Sequence, residues 1–263
     1  VNYSETGDSA NWSNAYLHTW QMLQRSLNTM PAQLVQEMTP AYSYNFLKEK
    51  LDISTLTDAD VNYSPMTVGG MNKGTILEEL VAAYSIFGNG GKKYETSYIS
   101  SIVDANGETI FEHSDGYKQS ISESTAYVMN RMMQKVVDTD QGTGRQAKLN
   151  NTKVAAKTGT TSDWTDLTFV GCTPDYVSGV WIGFNELTKI PTNQYQNIAA
   201  IWKNIFGDIA ENEKNHDFKM PATVKELKYC TKTGLIAGSN CWSTDVGYYK
   251  QTNVPEVCNG QHY

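Results

Sequence analysis

The stretch from Lys153 to Phe184 limits the possible folds more than any other. It reads KVAAKTGTTSDWTDLTFVGCTPDYVSGVWIGF. Three strand-like runs follow one another: Lys153 to Thr160, "DLTFVGCT" and "YVSGVWIGF", with a Pro174-Asp175 turn before the last. A parallel pair needs a crossover of a dozen or more residues, and these short turns supply none. The runs are therefore expected to be an antiparallel meander.

Helical patterns surround it. Tyr16, Trp20, Leu23 and Leu27 recur at three- and four-residue steps, which predicts a helix from Asn14 to Arg25. A second helical piece, "TMPAQLVQEM", follows Ser26-Leu27-Asn28. Thr39-Pro40 pairs a capping hydroxyl with a first-turn proline and opens a third. Thr75 to Phe87 and Ser122 to Val137 read as further helices, the first closed by Gly88-Asn89-Gly90-Gly91. "YISSIVDANGETIFEH" reads as a hairpin turning at Asn106-Gly107. "NIAAIWKNIF" is amphipathic and packs back as the last helix. Beyond about Asn212 the tail is polar, and no element is expected in it. The fold class is thus α+β: an antiparallel sheet flanked by helices, with a helical subdomain adjoining it. Residues 1–212 are expected to form one domain and 213–263 a cysteine-bearing extension.

Composition narrows the function. A net charge of −7 and a pI near 5.1 exclude the basic face that a nucleic-acid binder needs. No apolar run is long enough to cross a bilayer. Of the four cysteines, Cys172 lies in an apolar strand pattern and reads as core, while Cys230, Cys241 and Cys258 fall in the tail. None has C-x-x-C spacing, so no metal site is expected. Cys230 and Cys241 are the candidate disulfide, which leaves an odd thiol. His18, His113, His216 and His262 are scattered and form no ligand pattern.

Lys-Thr-Gly occurs twice, at 157–159 and 232–234. A carboxylate-bearing peptide needs a cation for its charge, hydroxyls to orient it, and a strand edge along which to lie. A glycine on that strand lets the ligand backbone approach. The first triplet offers all of these: Lys157 and Gly159 alternate with Thr158 and Thr160 on a slim strand. The second lies in the tail and is read as chance or structural. Far upstream, Ser26 and Asn28 place a hydroxyl and a carboxamide at alternate positions where two helices meet. Ser26 can pass a proton, and Asn28 can hold an amide or orient a lysine. Asp163 and Asp166, near the first triplet, read as turn and strand-end support.

These motifs resemble two of the three signatures of penicillin-binding proteins, a Ser-x-Asn triplet and Lys-Thr-Gly. "LQRSLNTMPAQL", "SPMTVGG", "TILEELVAAYSIFGNGG", "QGTGRQA" and "AAKTGTTSDWTDLTFVGCTPDYVSGVWIGF" occur in the order found in the transpeptidase domain of a class A (bifunctional) penicillin-binding protein. The tail also resembles the cysteine-bearing end of some members. Ala156 stands where the family usually has glycine, and Leu167-Thr168 replaces a common Ala-Trp. The resemblance implies a serine β-lactamase/transpeptidase-like fold and cross-linking of peptidoglycan stem peptides through a serine acyl-enzyme, with β-lactam antibiotics as inhibitors and no cofactor. It implies that Lys157 supplies positive potential and Ser26 the linked proton. Asn28 would bind a substrate amide, and Thr158, Gly159 and Thr161 would contact substrate. The backbone N–H of Thr160 would be an oxyanion donor.

The third signature, Ser-x-x-Lys, is absent: no serine stands three residues before a lysine. The expectation is that the nucleophile lies upstream in the same polypeptide, with a membrane anchor still further upstream on the extracytoplasmic side, and that these 263 residues alone are inactive. A non-catalytic sensor or binding module and a serine β-lactamase are the alternatives. The cysteine-bearing tail, the Gly-Thr-Gly loop and the lack of a deacylating-glutamate loop fit the latter poorly.

Overall fold

The computed structural model describes residues 17–191 and 197–261. Tyr16 and His262 lie outside them. Among the described residues the helices are α1 (Thr19–Arg25), α2 (Thr29–Met38), α3 (Pro40–Asn45), α4 (Tyr63–Val68), α5 (Leu77–Tyr84), α6 (Glu123–Asp138) and α7 (Ile198–Glu211). The strands are β1 (Lys92–Tyr94), β2 (Ser101–Val103), β3 (Thr109–Glu112), β4 (Tyr117–Gln119), β5 (Ala155–Thr160), β6 (Asp166–Cys172), β7 (Val177–Gly183), β8 (Val224–Cys230) and β9 (Thr244–Lys250).

The meander is present as expected. β5, β6 and β7 pair antiparallel in chain order, with Ala155 opposite Cys172 and Thr160 opposite Leu167. Among the described residues β5 is therefore an edge strand. Its alternation feeds two cores. Ala156 points into a cluster with Leu167, Phe169, Val137 and Trp202, beneath α7. Ala155 points the other way, to Cys172, Met133 and Tyr127. Cys172 is buried, as read from the sequence. Small residues let the layers meet closely. A Cβ on Gly171 would come within 2.7 Å of the Trp202 ring, whose indole N–H donates to Ser178 Oγ at 2.8 Å.

Local signals set the helix ends. Thr39 caps α3 by accepting from the N–H of Tyr42, with Pro40 in the first turn. Ser122 caps α6 by accepting from the N–H of Thr125. The 75–87 helix is shorter than expected. α5 ends at Tyr84 and a 3₁₀ turn covers Ser85–Phe87. The helical subdomain has its own core of Tyr44, Leu51, Ile53, Leu56, Ala83 and Ile86. Buried Asp60 organises its loops by accepting from the N–H groups of Thr57 and Asn72, each at 2.7 Å. The 101–112 hairpin forms around Gly107, whose φ of 83° favours glycine.

Two features depart from the sequence reading. β1 and β4 pair across the intervening hairpin, a non-local match. The tail is also structured. β8 and β9 form an antiparallel ladder in register from Val224–Lys250 to Cys230–Thr244. The tail docks on the rest of the chain through buried Phe218 and Val224, and through Arg131, which bonds both Asp217 and the Tyr248 hydroxyl.

The packing of α7 against the sheet depends on Trp202, which is 1% exposed. Trp202→Ala is expected to cost roughly 3–5 kcal/mol, read as a lower midpoint in urea unfolding. A loss under about 1 kcal/mol, the range of tolerated volume-conserving swaps, would mean that the ring does not hold the layers together.

Candidate active site

α1 stops at Arg25 because Ser26 turns into the left-handed region, at φ 56° and ψ 44°. The N–H groups of Ser26 and Leu27 close the helix onto the carbonyls of Leu23 and Met22. Leu27 is buried, and Asn28 then starts α2 from the exposed side. The Asn28 side chain makes no capping bond to that helix, so its amide is not used by the local turn. The Ser26 hydroxyl faces the sheet.

It meets Lys157 there. The ammonium donates to Ser26 Oγ at 2.7 Å and to the carbonyl of Thr158 at 2.9 Å. Burial pushes the ammonium down from 10.5 to about 8. The groups joined by this bond are 131 residues apart in sequence.

The rest of β5 presents its edge. Thr161 N–H bonds the carbonyl of Asp166, and the register from Thr160–Leu167 to Ala155–Cys172 is unbroken. In an antiparallel ladder, bonded and non-bonded pairs alternate. The N–H and C=O of Thr158 and Thr160 therefore point away from β6, toward the open edge. A Cβ on Gly159 would make only ordinary contact with Thr168, so internal packing does not exclude a side chain there.

Two residues that the sequence reading did not single out complete the arrangement. Thr143 Oγ1 lies 2.7 Å from Thr158 Oγ1. Its loop is held by α1: Thr143 N–H donates to the Gln24 carbonyl, and the buried Gln24 side chain donates to Thr139 Oγ1 at 2.5 Å. Gln24 thus fixes the loop with Thr143 beside the helix end with Ser26. The flanking glycines are needed, since a Cβ on Gly142 would overlap the Val136 carbonyl and one on Gly144 would press on Phe169. The Gly-Thr-Gly of the loop was the available signal, because a residue between two glycines sits on tightly packed backbone.

The remaining sequence-derived residues are placed as follows. Thr161 Oγ1 accepts from the N–H groups of Thr165 and Asp166, so its hydroxyl builds the β5–β6 turn. Asp166 receives the Trp181 indole N–H at 3.0 Å and the Thr165 hydroxyl at 2.8 Å, in the strand-end role read for it. The second Lys-Thr-Gly occupies the turn after β8, with Lys232 over the Trp242 ring and Gly234 at φ 76°. Cys230 and Cys241 lie close together, and Cys258 joins them.

The comparisons with known proteins point the same way. A family model described as the penicillin-binding protein transpeptidase domain matches residues 2–188. Penicillin-binding protein 1A of Clostridium botulinum is 30% identical over 209 residues, covering 80% of this chain and 25% of that protein. Penicillin-binding protein 2D of Bacillus subtilis is 33% identical over 190 residues, 69% of this chain and 27% of that protein. The chain thus spans about a quarter of the length of these curated relatives. Among solved structures, penicillin-binding protein 1A from Haemophilus influenzae superposes with a TM-score of 0.71 at 16% identity, covering 91% of this chain and 40% of that one. PonA1 from Mycobacterium tuberculosis superposes with a TM-score of 0.65 at 21% identity, over 78% and 59%. These two likenesses establish the fold, and the family match over most of the sequence establishes the lineage: the chain belongs to the penicillin-binding protein transpeptidase domain family.

Proposed function

We propose that this chain is part of a peptidoglycan D,D-transpeptidase, and that the groove between Ser26 and β5 holds the stem peptide. The observation that carries the reading is the Lys157–Ser26 hydrogen bond at the open edge of the sheet, in a chain of this family. The peptide lies along β5 as an added strand. Its terminal carboxylate meets the Lys157 ammonium and the hydroxyls of Thr158 and Thr160, and Asn28 holds an amide. Thr143 positions the Thr158 hydroxyl. Thr161 stays close to the substrate through the turn it builds.

The reaction is acyl transfer. A serine oxygen attacks the carbonyl between the two terminal D-alanines, and the C–N bond breaks. Ser26 and Lys157 relay a proton to the departing amine. A second stem-peptide amine then displaces the serine oxygen, so a new amide replaces the one broken. The Thr160 N–H stabilises the negative oxygen in both steps, a role worth roughly 3–4 kcal/mol per donor. β-Lactams enter the same groove and acylate the serine. That serine belongs to a Ser-x-x-Lys outside these 263 residues, on the same polypeptide. Its membrane anchor also lies outside them, and the domain works on the extracytoplasmic side. Among the described residues no helix is long and apolar enough to cross a membrane. Residues 213–263 are an extension docked on the transpeptidase body of 1–212.

The missing signature also favours a second reading, a binding module that holds stem peptides without acylation. Labelled penicillin separates the two. Residues 1–263 alone are expected to form no covalent adduct, and the natural polypeptide with its upstream segment is expected to form one adduct per chain. An adduct on a serine of this chain would show the nucleophile to be misplaced. No adduct on the longer polypeptide would favour the binding module.

Two further outcomes follow from the site. In the longer polypeptide, Ser26→Ala is expected to slow acylation by roughly 10²–10⁴-fold, the usual value of a positioned proton-transfer group, in stopped-flow measurements with a chromogenic β-lactam. Unchanged acylation would remove Ser26 from the relay.

The pH dependence comes from Lys157. Burial lowers its folded value to about 8, so the ammonium is lost as pH rises through that point. Capture of a carboxylate is expected to weaken from pH 7 to pH 9, and Lys157→Arg, which stays charged, should flatten the profile. The unfolded chain holds the proton up to its ordinary value of 10.5. Between about 8 and 10.5 it binds more protons than the folded chain, so this group's contribution to stability rises with pH there. A binding profile that is flat in the native protein would remove the ammonium from carboxylate capture.

A further inference from the structure

The tail contains a constellation that the acyl-transfer chemistry does not use. The sulfurs of Cys230, Cys241 and Cys258 lie within 4.8 Å of one another, with Cys230 and Cys258 buried and Cys241 half-buried. The cysteines are widely spaced in sequence, and backbone hydrogen bonds bring them together. Cys230 ends β8, and the chain turns at once: Gly234 N–H returns to the Cys230 carbonyl and Cys230 N–H bonds Leu235 O, both at 2.8 Å. Ile236 then forms an antiparallel bridge with Tyr229 and a parallel one with Val257. Cys258 N–H donates to Ile236 O at 2.7 Å, which fixes the third sulfur, and Cys241 N–H closes a turn on Gly238 O at 3.1 Å. Glycines permit the convergence. A Cβ on Gly238 would overlap the Cys258 carbonyl, and one on Gly260 would sit 2.7 Å from Asn240 Cβ.

We propose that Cys230, Cys241 and Cys258 form a binding site for a thiophilic divalent metal ion, zinc before others, and that these three thiolates are its ligands among the described residues. Three observations favour this over a simple disulfide. A disulfide uses two sulfurs, and here a third is built against the pair by its own backbone bonds. A tetrahedral zinc ion with bonds of ~2.3 Å holds sulfurs roughly 3.8 Å apart, a separation inside the observed limit. The surroundings also suit negative sulfur. The N–H groups of Lys232 and Thr233 and the Thr233 hydroxyl are directed at the Cys230 sulfur, and Gly260 N–H lies 3.5 Å from that of Cys258. A neutral disulfide sulfur gains little from such donors. Thiolate ligands select zinc and related soft ions over calcium or magnesium. The bound ion would clip the 231–243 loop and the 256–258 segment to the end of β8. The missing C-x-x-C spacing, which led the sequence reading away from a metal, is replaced by three separate segments meeting at one point.

The test uses the whole chain, purified without chelator and kept reduced, with cobalt(II) as the probe. One equivalent is expected to give the thiolate-to-metal charge-transfer absorption and strong visible bands of a tetrahedral thiolate site, and one equivalent of zinc(II) should remove them. Zinc should also raise the thermal midpoint. Cys258→Ser is expected to lose the charge-transfer band and the zinc-dependent shift while keeping the far-ultraviolet circular dichroism of the parent. If that variant fails to fold, the metal content of the native chain by native mass spectrometry decides. One zinc per chain supports the site. No metal, or a mass two hydrogens lower with Cys230 and Cys241 joined, overturns it. The outcome is independent of the acyl-transfer reading, since penicillin labelling does not involve these residues.

Discussion

The hydrogen bond between Lys157 and Ser26 ties the end of a short helix to the edge of the central sheet, and much of the architecture serves to hold its two ends in place. A lysine taken out of water is costly unless its donors are satisfied. Here the Ser26 hydroxyl and the Thr158 carbonyl take two of the three, and the strand edge leaves room for an incoming acceptor. Burial lowers the ammonium's proton affinity, so it gives up its proton at a lower pH than an exposed lysine does. The left-handed turn at Ser26 costs backbone energy for a residue other than glycine, and the hydrogen bonds that close α1 hold it.

The element that supports both ends is α6, against which α1 and β5 each pack. Its residues join separate cores: Val137 belongs with Trp202 beneath the sheet, and Met133 and Tyr127 with Cys172 above it. Buried Asn130 donates to the Phe87 carbonyl at 3.0 Å and accepts from Gln134 at 2.8 Å, which fastens α6 to the helical subdomain. Ser26 and Lys157 therefore do not rely on each other for placement. Each is fixed by packing against one helix, and the hydrogen bond between them forms across an interval already set.

What was legible in the sequence follows from which interactions are local. The meander from Ala155 to Gly183 was readable because tight turns leave an antiparallel neighbour as the sole partner for each strand. The cap at Thr39 was readable because a cap is a contact between residues three apart. The β1–β4 pair was not, since strands of three residues separated by a hairpin carry no periodic signal. The β8–β9 ladder was hidden differently. VKELKYC and TDVGYYK place charges on a mostly solvent-facing surface, and their partners Phe218 and Arg131 come from elsewhere in the chain. At the site, Lys157 stood out through residue type and a slim strand. Ser26 had a weaker signal, a hydroxyl and a carboxamide at alternate positions where two helices meet, because a 131-residue separation leaves nothing in spacing that ties it to Lys157. Thr143 was overlooked although its loop was noted: the flanking glycines announce close backbone packing but do not say which hydroxyl faces the groove.

The loop carrying Thr143 shows how the fold separates rigidity from access. Its backbone is anchored at Gln24 on α1 and at Val136 on α6, the same two helices that position Ser26 and support β5. Thr143 itself is exposed, as are Gly159 and Thr160 opposite. These residues face solvent, while the hydrogen bonds that hold the loop run to buried Gln24 and Val136. Loops that carry function are usually the less stable parts of a domain, but here the anchoring bonds run to residues that are themselves buried, Gln24 on α1 and Val136 on α6. A strand added at β5 would find the carbonyl of Thr158 and the N–H of Thr160 already turned outward, their direction set by the pairing of β5 with β6 on its far side.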